Sequence, residues 1–162
     1  MASMIQRMTG AATLNVQTYE EVEADVTATG QAAGVVVLAA IAQAIGNVGR
    51  GAQGMLTAAV MAILGWLIWS GVTYLIGERV FKGTATWGEM LRTIGFAHSP
   101  GVLSAFAFFP LIGWVVRPLV PIWMLIAGVI AIRQALDFDT PKAILTAVLG
   151  WLAIAIPRAL FF

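Results

Sequence analysis

Long stretches without a charged residue restrict the fold of this chain more than any other feature. They lie between Asp25 and Arg50, Arg50 and Glu78, Arg92 and Arg117, Arg117 and Arg133, and Lys142 and Arg158. A helix that crosses a bilayer needs about 20 predominantly apolar residues. The stretches therefore predict about five transmembrane helices, at residues 31–48, 55–78, 99–116, 118–136 and 141–161. The expected fold class is all-α, a polytopic membrane helical bundle.

The composition agrees with a membrane protein and excludes several classes of function. Only 10% of the 162 residues are charged and 60% are hydrophobic, whereas a soluble domain carries about 25% charged residues. The lipid bilayer is therefore the expected surrounding. A formal charge of +1, with no clustered basic face, argues against nucleic acid as a partner. The absence of cysteine excludes thiolate nucleophiles and sulfur-ligated metals.

Prolines suggest where the predicted helices begin. Ser99–Pro100 and Thr140–Pro141 each place a capping hydroxyl before a proline at the first helical position. Pro118 and Pro121 would occupy the first turn of the fourth helix, which predicts a tight hairpin around Arg117.

Two parts of the chain are expected, a cytoplasmic amino-terminal segment at 1–30 and a transmembrane domain at 31–162. Thr18 and Glu21 have the spacing of a capping box, and so do Thr86 and Glu89. Both boxes precede apolar residues at helical spacing. They predict two short amphipathic helices at the membrane interface.

Basic residues predict the orientation. With a cytoplasmic amino terminus and five spans, six of the nine basic residues lie in the cytoplasm, namely Arg7, Arg79, Lys82, Arg92, Arg133 and Lys142. This bias agrees with the positive-inside rule. All eight acidic residues fall on the same side, so that face carries nearly all the polar chemistry.

Three stretches resemble the Yip (Ypt-interacting protein) family, particularly its bacterial members. They are TYEEVEADVTATGQAAGVV at 18–36, GERVFKGTATWGEMLRTIGFAHSPGVL at 77–103 and IRQALDFDTPKAILTAVLGWL at 132–152. The resemblance implies about five spans after a cytoplasmic segment, a location in the bacterial cytoplasmic (inner) membrane and a non-catalytic role. Eukaryotic members are linked to Rab-type GTPases through a long cytoplasmic region, which residues 1–30 replace here.

An acidic cluster is the candidate partner-binding surface. It consists of Glu20, Glu21, Glu23 and Asp25 on the first amphipathic helix. Because the cytoplasmic leaflet is usually negative, lipid alone would repel this helix. It is expected to dock on protein, either on the basic loop of the same chain that contains Arg79, Lys82 and Arg92, or on a separate partner.

Arg133 and Asp137 are the candidate structural ion pair, since they stand one helical turn apart. The intervening residues 118–132 between Arg117 and Arg133 would span about 23 Å as a helix, less than a hydrocarbon core of about 30 Å. At least one of the two arginines is therefore expected to snorkel or to pair within protein.

No catalytic set is apparent. His98 is the only histidine, and it is expected to form an interfacial hydrogen bond at the cytoplasmic mouth of the third span. We expect neither enzymatic activity nor a cofactor. Two functions remain: a scaffold that recruits a partner, or an accessory subunit of a larger respiratory or photosynthetic membrane complex. A small transporter is less favoured. The Gly30 and Gly34 spacing also allows a homo-oligomer.

The five predicted spans place the two termini on opposite faces. Single cysteines replacing Ser3 and Phe162 should therefore react with an impermeant reagent from opposite sides of oriented vesicles. The chain has no native cysteine to interfere. Labelling of both positions from one side would contradict an odd number of crossings.

Overall fold

The computed structural model describes residues 2–161, without the side chains of Arg158 and Phe161. This part of the chain is helical and contains no strand, which confirms the all-α prediction. Its α-helices are α1 (Met4–Ala12), α2 (Val16–Ala24), α3 (Ala28–Gly46), α4 (Gly51–Arg79), α5 (Trp87–Ala97), α6 (Pro110–Ala135) and α7 (Thr140–Phe161). Two 3₁₀ segments, Val48–Arg50 and Ser99–Phe108, precede α4 and α6.

Four helical segments of the described chain are long and apolar enough to cross a membrane. They are Ala28–Gly46, Val48–Arg79, Pro110–Ala135 and Thr140–Pro157. Many large apolar side chains on these helices point outward, and Leu111 (88%) and Leu56 (67%) are mostly exposed. A surface of this kind suits lipid, so the prediction of a polytopic helical bundle is confirmed.

The remaining traverse of the bundle combines α5 with the second 3₁₀ segment. Close contacts between Gly95 and Ala32, Gly101 and Ala39, and Gly46 and Ser104 show that residues 87–108 run parallel to α3. The 11 residues of α5 and the 10 of the 3₁₀ segment together rise about 36 Å. The 26 residues of α6 rise about 39 Å. Within residues 2–161 the chain therefore passes along the bundle five times, and four of these passes are single long helices.

The hairpin predicted around Arg117 is wrong. Pro118 and Pro121 lie inside α6, which is continuous from Pro110 to Ala135. The chain turns instead at Phe109, an extended residue (φ −74°, ψ 122°) that precedes Pro110 at the start of the helix. Pro110 suits this place because a first-turn residue needs no N–H donor. The predicted spans at 99–116 and 118–136 are thus replaced by the 3₁₀ segment and one longer helix.

The two predicted capping boxes have different outcomes. Thr86 and Glu89 form the expected reciprocal pair at the start of α5. Thr18 and Glu21 do not cap α2, because the helix begins earlier, after Asn15, whose side chain accepts from the Gln17 N–H at 2.9 Å. Helix α1 was not predicted, although its own box is visible in the sequence as Ser and Gln three residues apart.

Helix α5 lies inside the bundle rather than at its interface. Its Met90 and Ile94 side chains are fully buried. The indole Nε1 of Trp66 in α4 donates to the Leu91 carbonyl oxygen at 3.0 Å. Residues 92–97 are buried on all sides of the helix, and Trp87 in its first turn is exposed.

Gly46 tests the packing of the 3₁₀ segment on α3. A Cβ at this position would collide with the Ser104 carbonyl oxygen and lie 3.2 Å from the Ala107 Cβ. Gly46→Ala should lower the free energy of unfolding by about 2 kcal/mol, since backbone cannot yield as a flexible side chain can. Thermal and denaturant melts in detergent measure the change.

Gly30→Ala is the matched control in the same helix, because a Cβ at Gly30 meets no atom within 4 Å. It should leave stability unchanged or raise it slightly through helix propensity. Equal melting of the two variants would contradict the close contact between Gly46 and Ser104.

Candidate functional site

Helices α1 and α2 form a hairpin that is fastened to the bundle by two arginines. The first is Arg7 of α1, whose side chain is 2% exposed. Its guanidinium bonds to a Glu21 carboxylate oxygen at 2.8 Å, an Asp25 carboxylate oxygen at 2.7 Å and the Gln31 amide oxygen at 3.1 Å. Hydrogen bonds from Thr27 and from Arg7 lower the pKa of Asp25 to about 2. Arg7 thus joins α1, the end of α2 and the start of α3.

The second arginine is Arg92 of α5, which binds the backbone at the end of α2. Its Nε donates to the Val22 carbonyl oxygen at 3.0 Å, and Nη2 donates to the Glu23 carbonyl oxygen. Tyr19 and Val22, which belong to α2 of this hairpin, are fully buried. The carbonyl groups in the last turn of a helix have no N–H partner within that helix. Arg92 donates hydrogen bonds to two such carbonyls of α2.

Four carboxylates gather where α2, α5 and the loop after α6 meet. We call Glu20, Glu23, Glu89 and Asp137 the acidic patch. Partial burial, together with the negative charges of Glu89 and Asp137, raises the pKa of Glu23 to about 7, against the opposing effect of Arg92. Glu20 is exposed and accepts a hydrogen bond from the Gln134 amide at 2.9 Å. The carboxylates of the patch therefore repel one another, and Arg92 offsets part of this repulsion at Glu23.

The acidic cluster predicted for partner binding is only partly at the surface. Glu21 and Asp25 are committed to Arg7, while Glu20 and Glu23 belong to the acidic patch. Among the basic residues expected to face the cluster, only Arg92 bonds to α2 within residues 2–161, and it bonds to backbone oxygens. Sequence reasoning missed Arg7, for which the unrecognised capping box of α1 was the available signal.

The predicted ion pair between Arg133 and Asp137 is not formed in the described structure. Helix α6 ends at Ala135, and Asp137 takes a left-handed conformation (φ 53°), which breaks the one-turn relation. The Asp137 carboxylate instead accepts from the Thr84 hydroxyl at 2.9 Å. Arg133 is exposed at the helix end.

A cavity of about 400 Å³ opens toward the opposite end of the bundle, and we call it the cleft. It lies among α3, α4, α6, α7 and the second 3₁₀ segment. Polar residues of its lining are Gln43, Asn47, Arg50, Ser104 and Arg117, and its apolar lining includes Met61, Val120, Met124 and Ile154. Trp69 and His98 also line it.

His98 lies within the third traverse rather than at its mouth. The residue is 4% exposed, and its ring Nδ1 lies 2.8 Å from the Ile94 carbonyl oxygen. The ring also meets Trp69 edge-on at 6.0 Å between centroids. No group of three or more His, Asp or Glu residues suited to a metal ion occurs in the described part of the chain.

These features define a class of protein: a small polytopic helical membrane protein with a docked amino-terminal hairpin. The profile of the Yip1 domain matches residues 14–159. The chain belongs to the Yip family. Searches of curated proteins and of solved structures each gave no significant match.

Arg7 should contribute far more to stability than Arg133. Arg7→Ala removes a buried guanidinium and leaves Asp25 and Glu21 without their partner, so we expect unfolding to become easier by about 3 kcal/mol. Arg133→Ala removes an exposed charge and should change stability by less than about 1 kcal/mol. Melts in detergent compare the two. Similar losses would contradict the anchoring role of Arg7.

Proposed function

We propose that this Yip-family protein is a non-catalytic membrane scaffold that recruits a partner through its acidic patch. The carrying observation is that the α1–α2 hairpin is fixed by Arg7 and Arg92 while Glu20 and Asp137 remain exposed beside it. A recruiting surface gains affinity when it is already ordered before binding. The α1–α2 hairpin is held in place by Arg7 and Arg92, so it is ordered before a partner binds.

The charge of the patch favours a basic partner. The raised pKa of Glu23 reflects partial burial and repulsion from neighbouring carboxylates. A lysine- or arginine-rich segment would relieve that repulsion and would associate faster through electrostatic steering. Segments of this composition commonly flank the cytoplasmic ends of transmembrane helices. We therefore propose a membrane protein with a basic juxtamembrane segment as the partner.

The proposal places the acidic patch in the cytoplasm. Helix α2 and the loops at 80–86 and 136–139 share one end of the bundle, and six of the nine basic residues lie in these regions or near them. The positive-inside rule favours this end as the cytoplasmic one. Membership of the Yip family supports a membrane location, and the bacterial cytoplasmic membrane is part of the proposal.

Neutralising the patch tests recruitment. Glu20→Gln with Asp137→Asn removes two exposed carboxylates but keeps side chains that can bond to Gln134 and Thr84. Tagged protein would be purified from native membranes in mild detergent, and co-purified proteins would be quantified by mass spectrometry. We expect a partner retained by the wild type to fall at least about tenfold in the variant, since two charge contacts are lost.

Glu78→Gln with Asp139→Asn is the matched control, because it removes the same charge from carboxylates that do not perturb Glu23. It should retain the partner, and all three proteins should melt alike. Equal retention by the patch variant would contradict recruitment through the patch. Recovery of every variant only as a fixed-stoichiometry part of one large complex would support the accessory-subunit alternative instead.

A further inference from the structure

The cleft lies at the end of the bundle that has no acidic residue. Arg50 and Arg117 both line it, and both are exposed. All eight acids of the chain belong to α2, its carboxyl end, the end of α4, α5 or residues 137–139. Within residues 2–161, two positive charges therefore stand at the cleft without a carboxylate side chain to balance them.

Arg117 needs a partner more than Arg50 does, because it lies deeper along the bundle axis. It stands seven residues into α6, about 10 Å from the start of a helix about 39 Å long. A hydrocarbon core of about 30 Å centred on α6 would begin about 5 Å before Arg117. A charge at this depth needs a partner or access to water. Its only side-chain hydrogen bond in the described structure is to the Ala107 carbonyl oxygen at 3.3 Å.

Most of the cleft wall below these arginines is apolar, although polar residues such as His98 also line it. Val120 and Met124 continue the α6 wall inward from Arg117, and Ile154 of α7 lies beside Gly65 of α4. From Met61 to Trp69, α4 rises about 12 Å, so the cleft reaches well into the bundle. Its volume of about 400 Å³ falls in the range of small-molecule sites, about 300–1,000 Å³.

A cationic mouth above a mostly apolar interior fits an amphiphile with a negative head group. We propose that the cleft binds an anionic phospholipid, with its phosphate between Arg50 and Arg117 and part of one acyl chain against Met124 and Ile154. The phosphate supplies the negative counter-charge for Arg117. Guanidinium groups bind phosphate oxygens through paired hydrogen bonds. The acyl chain fills space that protein side chains leave open. The surrounding bilayer supplies such a ligand without a separate delivery route.

Lipid-dependent melting of the purified full chain tests this site. Detergent-solubilised protein would be titrated with phosphatidylglycerol or phosphatidylcholine, and the apparent affinity would be read from the rise in Tm. We expect phosphatidylglycerol to bind more tightly. Arg50→Gln with Arg117→Gln should weaken its binding at least about tenfold, since charged hydrogen bonds are lost. The lipid-free Tm of this variant shows whether the fold is intact.

Arg133→Gln is the control for the loss of a positive charge away from the cleft, because Arg133 is exposed at the other end of α6. It should bind phosphatidylglycerol as the wild type does. Gly65→Leu tests the acyl chain, since a Cβ at Gly65 meets only Ile154 atoms at 3.8 and 3.9 Å and a longer side chain would occupy the cleft. This variant should also bind the lipid weakly, whereas Gly65→Ala should bind nearly normally.

Inorganic phosphate separates a lipid site from a simple anion site. It should leave the Tm of the wild type unchanged at concentrations where phosphatidylglycerol raises it. An equal response to both lipids, unchanged binding in the double arginine variant, or a full response to phosphate would each overturn the proposal. Recruitment of a partner at the acidic patch is measured separately, so either proposal can fail alone.

Discussion

Pairing of the backbone within the hydrocarbon core is the constraint on which the rest of this structure depends. A long α-helix satisfies that requirement by itself, whereas 3₁₀ geometry is poorer and seldom continues beyond four residues. The segment Ser99–Phe108 is therefore the part of the structure whose backbone most needs cover from neighbouring helices. Its backbone packs closely against α3 and α6, where glycines at 46, 101 and 113 allow the close approach, while the side chains of Leu103, Phe106 and Phe108 are exposed. Irregular backbone at membrane depth is tolerated when protein covers it.

The charged groups follow from the same arrangement. Buried Arg7 and Arg92 hold α1 and α2 against α3 and α5. Arg7 binds two carboxylates and an amide, and Arg92 binds backbone oxygens at the end of α2. The surplus negative charge collects in the acidic patch, and the surplus positive charge stands at the cleft. The two ends of the bundle thus offer opposite electrostatic surfaces, which suit different classes of ligand.

Charge spacing was enough to predict the helical class and the approximate positions of α3, α4 and α7. It misplaced the turn before α6, because it assigned the prolines at 118 and 121 to the first turn of that helix, which begins at Pro110. A single sequence does not show which of several prolines begins the helix. The ion pair at Arg133 failed for a related reason, since helical spacing was extended past the actual end of α6.

The candidate sites were harder to predict because they join residues far apart in the chain. Glu20, Glu21, Glu23 and Asp25 were recognisable as a cluster, but their division between Arg7 and the acidic patch depends on how α2 docks. The cleft has no sequence signature. Arg50 and Arg117 were visible only as isolated charges between spans, and their shared cavity appears once the third pass is placed beside α3.

The docking of the amino-terminal hairpin has a consequence for the order of assembly. The Trp123 indole donates to the Ala12 carbonyl oxygen at 2.8 Å, and Gln134 bonds to Glu20, across 111 and 114 residues of sequence. A ribosome adding about 5–20 residues each second needs at least several seconds to produce α6 after α1. The hairpin is made before α6, yet it can complete its contacts only after α6 has been synthesised. Until then α2 lacks one of the helices on which it packs, and we expect the growing chain to expose an apolar face that a chaperone or the membrane surface covers.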